Sequence, residues 1–207
     1  MFESLRVAGE ILGGQERAAE VILYVLNARK DLATRTRGVS ENEKPAVYVG
    51  SVGYKGVQGI ESTDAEYTPL EWVGAKNVAK TISPTGHLFI DREKLLAWDP
   101  DIIFVDGGGL NLVKRDYHKK PEFFQGLRAF REKRVYVIYP FNYYVTNIST
   151  AIADAFAVGK VLYPDRFADV DLKTKADEIY TFFYGKPLYE QMEKDFGPLG
   201  RVGDFTQ

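Results

Sequence analysis

The chain has 207 residues, with 27 Lys and Arg against 29 Asp and Glu for a net charge of −2. That length suits one domain or a modest two-lobe protein with a real core, and the balanced charge marks neither a nucleic-acid binder nor a binder of anionic membranes. Zero cysteines exclude disulfides, thiolate metal sites and cysteine nucleophiles, and leave the compartment open. No apolar run approaches the roughly 20 residues needed to span a bilayer. The opening Met1-Phe2-Glu3-Ser4-Leu5-Arg6 lacks the basic and long apolar regions of an export signal. The expectation is therefore either a cytoplasmic protein or a piece whose export signal lies elsewhere.

In chain order, Ala18, Val21, Ile22, Val25, Leu26 and Leu32 recur at helical spacing and predict one long amphipathic helix over 14–37, closed by Gly38. Pro45 opens a short strand, AVYVG (46–50), followed by the glycine-rich stretch SVGYKGVQG (51–59). Residues 60–82 read as loop and short helix, and GHLFI (86–90) as a small strand. DREKLLAW (91–98) is a helix with Asp91 at its N-cap. DIIFV (101–105) is an unbroken apolar run, the pattern of a strand covered on both faces. A basic, aromatic segment (110–134) precedes a third strand, RVYVIYP (134–140), the loop FNYYVTN (141–147), a helix over 148–163 and another over 169–185. Strands alternating with helices imply an α/β three-layer sandwich with a mostly parallel sheet, preceded by a long helix.

In such a sheet ligands sit outside the carboxyl ends of the strands. Three loops (51–59, 106–111 and 140–147) should therefore share one edge. Gly107-Gly108-Gly109 after Asp106 suggests a phosphate loop, but Asn111 and Leu112 stand where a dinucleotide fingerprint needs glycine, and no Gly-Lys-Ser/Thr ending follows. The glycines read better as a reversal needing positive φ or close backbone approach, with Asp106 capping the turn. His87 and His118 lack metal-spaced partners. No Gly-x-Ser-x-Gly elbow is present, and no resident metal or cofactor is expected. Tyr143 and Tyr144 are expected to face the cleft, with Tyr139 and Phe141 divided between cleft and core. Tyrosine offers flat apolar area with a hydroxyl, suited to a small organic ligand. Lys55 either adds charge for an anionic ligand or is a solvated lysine.

DREKLLAWDPDIIFVDG (91–107) resembles the acidic-helix, Pro-Asp, strand signature of the substrate-binding proteins that serve ABC importers of iron siderophores, haem and cobalamin. EWVGAKNVAKTI (71–82), FREKRVYVIYP (130–140), AIADAFAVGKVLYPDRFADVD (151–171) and IYTFFYG (179–185) resemble further segments of that class III, helical-backbone family, in the same order. The resemblance implies two α/β lobes joined by a long helix, with a metal chelate gripped between them and handed to a membrane permease. This chain is similar to the connecting helix region (1–40) and the C-terminal lobe (41–207), without the N-terminal lobe. It further implies ligand contacts from Tyr54, Lys55, Asn142, Tyr143 and Tyr144, and permease docking by Glu66 or Glu71. The long helix would need a cover, either an N-terminal lobe or a second copy, and the full-length form would work outside the cytoplasm. Two other readings stay open: a cytoplasmic flavodoxin-like enzyme, and a non-binding interaction module.

Overall fold

A computed structural model describes residues 2–142, 145–203 and 205. Its centre is a four-stranded parallel sheet in the order β3-β1-β5-β6, formed by β1 (Ala46–Gly50), β3 (Lys76–Asn77), β5 (Ile102–Asp106) and β6 (Val135–Ile138). A second, two-stranded antiparallel ribbon pairs β2 (Ser62–Asp64) with β4 (His87–Phe89). The ribbon is tied to the end of β1, because Val52 N–H donates to the Ser62 carbonyl at 3.1 Å.

Side-chain alternation divides the core into two layers. Val47, Val49, Ile102 and Phe104 face α2 (Gln15–Thr36), α8 (Ile148–Leu162) and α9 (Leu172–Tyr184). Tyr48, Ile103, Val105, Val135 and Val137 face α4 (Arg92–Trp98), α5 (Leu110–Lys119) and α6 (Pro121–Gly126). All five residues of β5 are buried, as its apolar run predicts. Full burial of each large aliphatic or aromatic side chain contributes about 1.5–3 kcal/mol.

The Trp-Asp-Pro-Asp junction between α4 and β5 has a local mechanical cause. Asp99 ends α4 in the left-handed region at φ 38°, and Pro100 cannot continue a helix. Asp101 then accepts the Ala46 N–H at 2.7 Å, fixing β1 against β5. The Asp91 cap predicted for α4 is present, accepting from Lys94 N–H at 2.6 Å. α8 is capped by Asn147 and is buried along nearly its whole length. Gly159 lets the Phe167 ring lie against its backbone, where a Cβ would stand 2.3 Å from the ring.

Some elements differ from the sequence reading. The 110–134 segment contains α5, α6 and the short α7 (Arg128–Arg131), and α3 (Thr68–Trp72) is followed by the edge strand β3. The N-terminal stretch is itself a helix, α1 (Phe2–Leu12), which packs on α2 with Gly9 against Ala18. α10 (Tyr189–Phe196) follows α9. Of the α2 stripe, Ile22, Val25 and Leu32 are core, whereas Leu23 and Leu26 are exposed. Among the described residues, no helix is long and apolar enough to cross a membrane.

Candidate functional site

The strand ends align: Gly50 pairs with Val105, and Asp106 with Ile138. The three loops beyond them touch. A Cβ on Gly109 would lie 1.9 Å from Ser51 Oγ and 2.4 Å from the Gln58 carbonyl, and one on Gly108 would lie 3.4 Å from Pro140 Cβ. On the other side, a Cβ on Gly107 would lie 2.6 Å from the Phe196 carbonyl. The triple glycine thus serves close approach; none of the three has positive φ. Asp106 caps their turn, accepting from Gly108 N–H at 2.8 Å.

The 51–59 loop is a compact, self-bonded turn. Ser51 (φ 67°) and Lys55 (φ 50°) are left-handed, Ser51 Oγ donates to the Gln58 carbonyl at 2.7 Å, and Gln58 Nε2 donates to the Tyr54 carbonyl at 2.8 Å. Its tip presents Tyr54, 42% exposed, to solvent. The Tyr54 ring stacks on His87 with centroids 4.2 Å apart and planes 10° apart, and Phe89 meets both rings edge-on at 6.1 and 4.8 Å. Lys55 Nζ lies 5.4 Å from the Tyr54 centroid. His87 Nε2 is 2.7 Å from Ser62 Oγ, which itself donates to the Val52 carbonyl at 2.5 Å. Burial holds the imidazole below its usual value, against the weaker pull of Asp64. Tyr54, Lys55, His87 and Phe89 therefore form one aromatic and cationic surface.

His87 and Phe89 were absent from the sequence reading of the site. Their signal was the two-residue period in GHLFI, which puts both on one face of a strand. Asn142 is exposed and bridges to Thr146, while Tyr139 and Phe141 are buried in the core. Tyr143 and Tyr144 lie outside the described residues. Glu66 is exposed, and its backbone N–H donates to Asp64 at 2.7 Å. Glu71 is exposed too, but pairs with Lys80 at 2.6 Å. His118 lies exposed in the last turn of α5, on its basic face. Among the described residues, no three His, Asp or Glu side chains gather where they could hold a metal ion.

The loop after β1 thus brings Tyr54 and Lys55 against His87 and Phe89 of the β2–β4 ribbon, beside the carboxyl ends of the parallel strands where α/β sheets bind ligands. The chain belongs to the periplasmic binding protein family, whose sequence profile matches residues 1–140. It is 26% identical over 189 residues to the molybdate-binding protein MolA of Haemophilus influenzae, covering 88% of this chain and 51% of that protein. Molybdate-bound MolA superposes with a TM-score of 0.72 at 22% identity, over 90% of this chain and 56% of MolA. An ABC transporter solute-binding protein from Sulfurospirillum deleyianum gives a TM-score of 0.72 at 21% identity, over 94% and 60% of the two chains. A periplasmic solute-binding protein from Veillonella parvula gives 0.69 at 21%, over 94% and 59%. The chain spans about half the length of these relatives. Membership of a binding-protein family speaks against the enzyme reading.

Proposed function

We propose that this chain is the connecting helix region (1–40) and C-terminal lobe (41–207) of the solute-binding component of an ABC importer, working outside the cytoplasm with a membrane permease. Its cargo is a metal chelate: a ferric siderophore, or a related complex such as haem or cobalamin. The observation that carries the cargo class is the Tyr54–His87–Phe89 stack with Lys55 beside it. Exposed ring faces grip flat organic surface and a lysine attracts its charge. The hydroxyls of the buried Ser51 and Ser62 are donated to backbone carbonyls and are not free for a ligand. The same reading takes Asn142, Tyr143 and Tyr144 as further ligand contacts. Membership of the family and the likeness to transporter-associated binding proteins support the importer role.

Calorimetric titration of the chain with ferric catecholate and hydroxamate siderophores, haem, cobalamin and sodium molybdate tests this reading. One of the chelates should bind, and Tyr54→Ala should weaken it about tenfold, the value of one good aromatic contact. Binding of molybdate alone would replace the chelate with an oxyanion. Binding of none, also when the chain is joined to a second lobe, would leave the non-binding module.

For docking, Glu66 is favoured over Glu71, whose carboxylate already faces Lys80. Glu66→Arg should reduce uptake into cells carrying the permease without changing ligand affinity. Equal loss from Glu66→Arg and Glu71→Arg would remove that preference.

A further inference from the structure

After α10 the chain runs along the outer edge of β6 and closes it. β6 ends the strand order β3-β1-β5-β6 and is paired with β5 along one side. On its other side the peptide groups of Val135 and Val137 meet residues 199–203. Val137 N–H donates to the Arg201 carbonyl at 3.1 Å, Gly200 N–H to the Val137 carbonyl at 2.7 Å, and Gly203 N–H to the Val135 carbonyl at 2.9 Å. The segment also straddles the sheet. Leu199, 1% exposed, joins the core layer of α8 and α9, whereas Phe205, 6% exposed, joins the layer on the opposite face. The Phe205 ring lies 5.2 Å from that of Phe130 and 6.2 Å from that of Tyr117. Gly200, at φ 64°, makes the crossing possible, since a Cβ there would stand 2.7 Å from Leu172 Cδ1.

The hold is lighter toward the far end of the segment. Val202 is 44% exposed, and a hollow of about 330 Å³ lies beside Phe205, walled by Tyr117, Phe130, Lys133 and Val202. An uncovered sheet edge is a template for another strand, and β6 offers one that matches itself. In a two-fold antiparallel pairing, Val135 and Val137 of one copy would face Val137 and Val135 of the other as hydrogen-bonded pairs. The opposite edge strand, β3, has only two residues. We propose that the outer edge of β6 is a strand-docking surface that the chain fills with its own residues 199–203, locked by Phe205. When this strap lifts, the occupant that takes its place is the β6 edge of a second copy. The strap is thus a guard against sheet-to-sheet association, and it is independent of the cargo proposed above.

Amide hydrogen exchange of the full chain, with sedimentation across a concentration series, tests the proposal. In the wild type the Val137, Gly200 and Gly203 amides should open together, and more often than those of β5. At low concentration Phe205→Ala should cut protection of all three about tenfold or more, the factor that burial of one large side chain supplies, with β5 unchanged. Raising the concentration should then bring association and restore protection at Val137 alone, because Gly200 and Gly203 stay with the lifted strap. Association through the exposed leucines of α2 would instead leave Val137 exchanging. Gly203→Pro removes the amide that donates to Val135 and crowds the Phe205 ring, which a Cβ there would meet at 2.7 Å. It should reproduce the pattern, and it serves alone if Phe205→Ala does not fold. Wild-type strap amides that exchange only together with β5 would make the segment part of the core and overturn the proposal. So would Val137 protection indistinguishable from wild type in the variants, or protection that stays low as their concentration rises.

Discussion

At the scale of single residues, the cleft edge is governed by which polar groups have already found partners. Ser51 and Ser62 donate their hydroxyls to backbone carbonyls and His87 Nε2 lies on Ser62 Oγ, so on the reading proposed above Tyr54 and Lys55 are the side chains left to meet a ligand. Asp106 has a measurable signature of its own. Burial outweighs its bond from Gly108 and pushes it from 3.8 up to about 7. The folded chain then keeps a proton that the unfolded chain has released, so its contribution to stability is full below about pH 4, falls as pH rises toward 7, and levels beyond. Each such proton contributes a slope of about 1.4 kcal/mol per pH unit. Asp154 is raised as well and adds slope in the same direction. Asp106→Asn, which keeps the acceptor for Gly108, should lower the steepness of stability against pH by about one proton between pH 4 and 7. Urea unfolding at several pH values measures it. Identical slopes for variant and wild type would show that Asp106 titrates normally.

At the scale of elements, the three glycines are a packing device. Gly109 faces both Ser51 Oγ and the Gln58 carbonyl. A methyl group there cannot be relieved by one rotamer change, because the second atom is backbone. Gly109→Ala should cost about 1–3 kcal/mol, the usual toll of overpacking. Gly108→Ala, 3.1 Å from Asp106 Oδ1 and 3.4 Å from Pro140 Cβ, should cost less. Thermal melting of the two variants compares them, and equal melting temperatures would mean that the 51–59 loop yields freely. The sequence made part of this legible. Strands with unbroken or alternating apolar residues, and helices with Asp or Asn caps, were readable because their signals are local. The 110–134 helices were not: α6 and α7 have only 6 and 4 residues, too short for a period to emerge, and lean on an aromatic cluster of Tyr117, Phe124, Phe130 and Phe205. The same limit applies at the site. Tyr54 could be picked out from its loop, but its stacking on His87 depends on a ribbon pairing between residues 62–64 and 87–89, which no local pattern states.

At the scale of the whole molecule, the two sides of α2 are unlike. One carries Val25 and Leu32 into the core beside α8, and Arg35 pairs with Asp169 at 2.6 Å. The other, with α1, leaves Ile11 77%, Leu12 82%, Leu23 59% and Leu26 45% exposed. A hollow of about 410 Å³ lies in this groove, lined by Ala18, Ala19, Ile22, Leu23 and Leu26 with Arg6 and Glu10. Clustered apolar area of this kind marks a surface meant for covering. Relatives of nearly twice the length fit the proposal that a second lobe of the same protein belongs there. The chain by itself should meet the need by self-association, since burying each exposed leucine returns about 1–2 kcal/mol. Sedimentation across a concentration series should show dimers or larger species. Leu23→Glu with Leu26→Glu should keep the chain monomeric and leave its melting temperature nearly unchanged, because both side chains already face water. A wild-type chain that stays monomeric at high concentration would mean the groove is too shallow or too polar at its rim to hold a partner. A double variant that melts much earlier would mean these leucines support the α1–α2 pair from within.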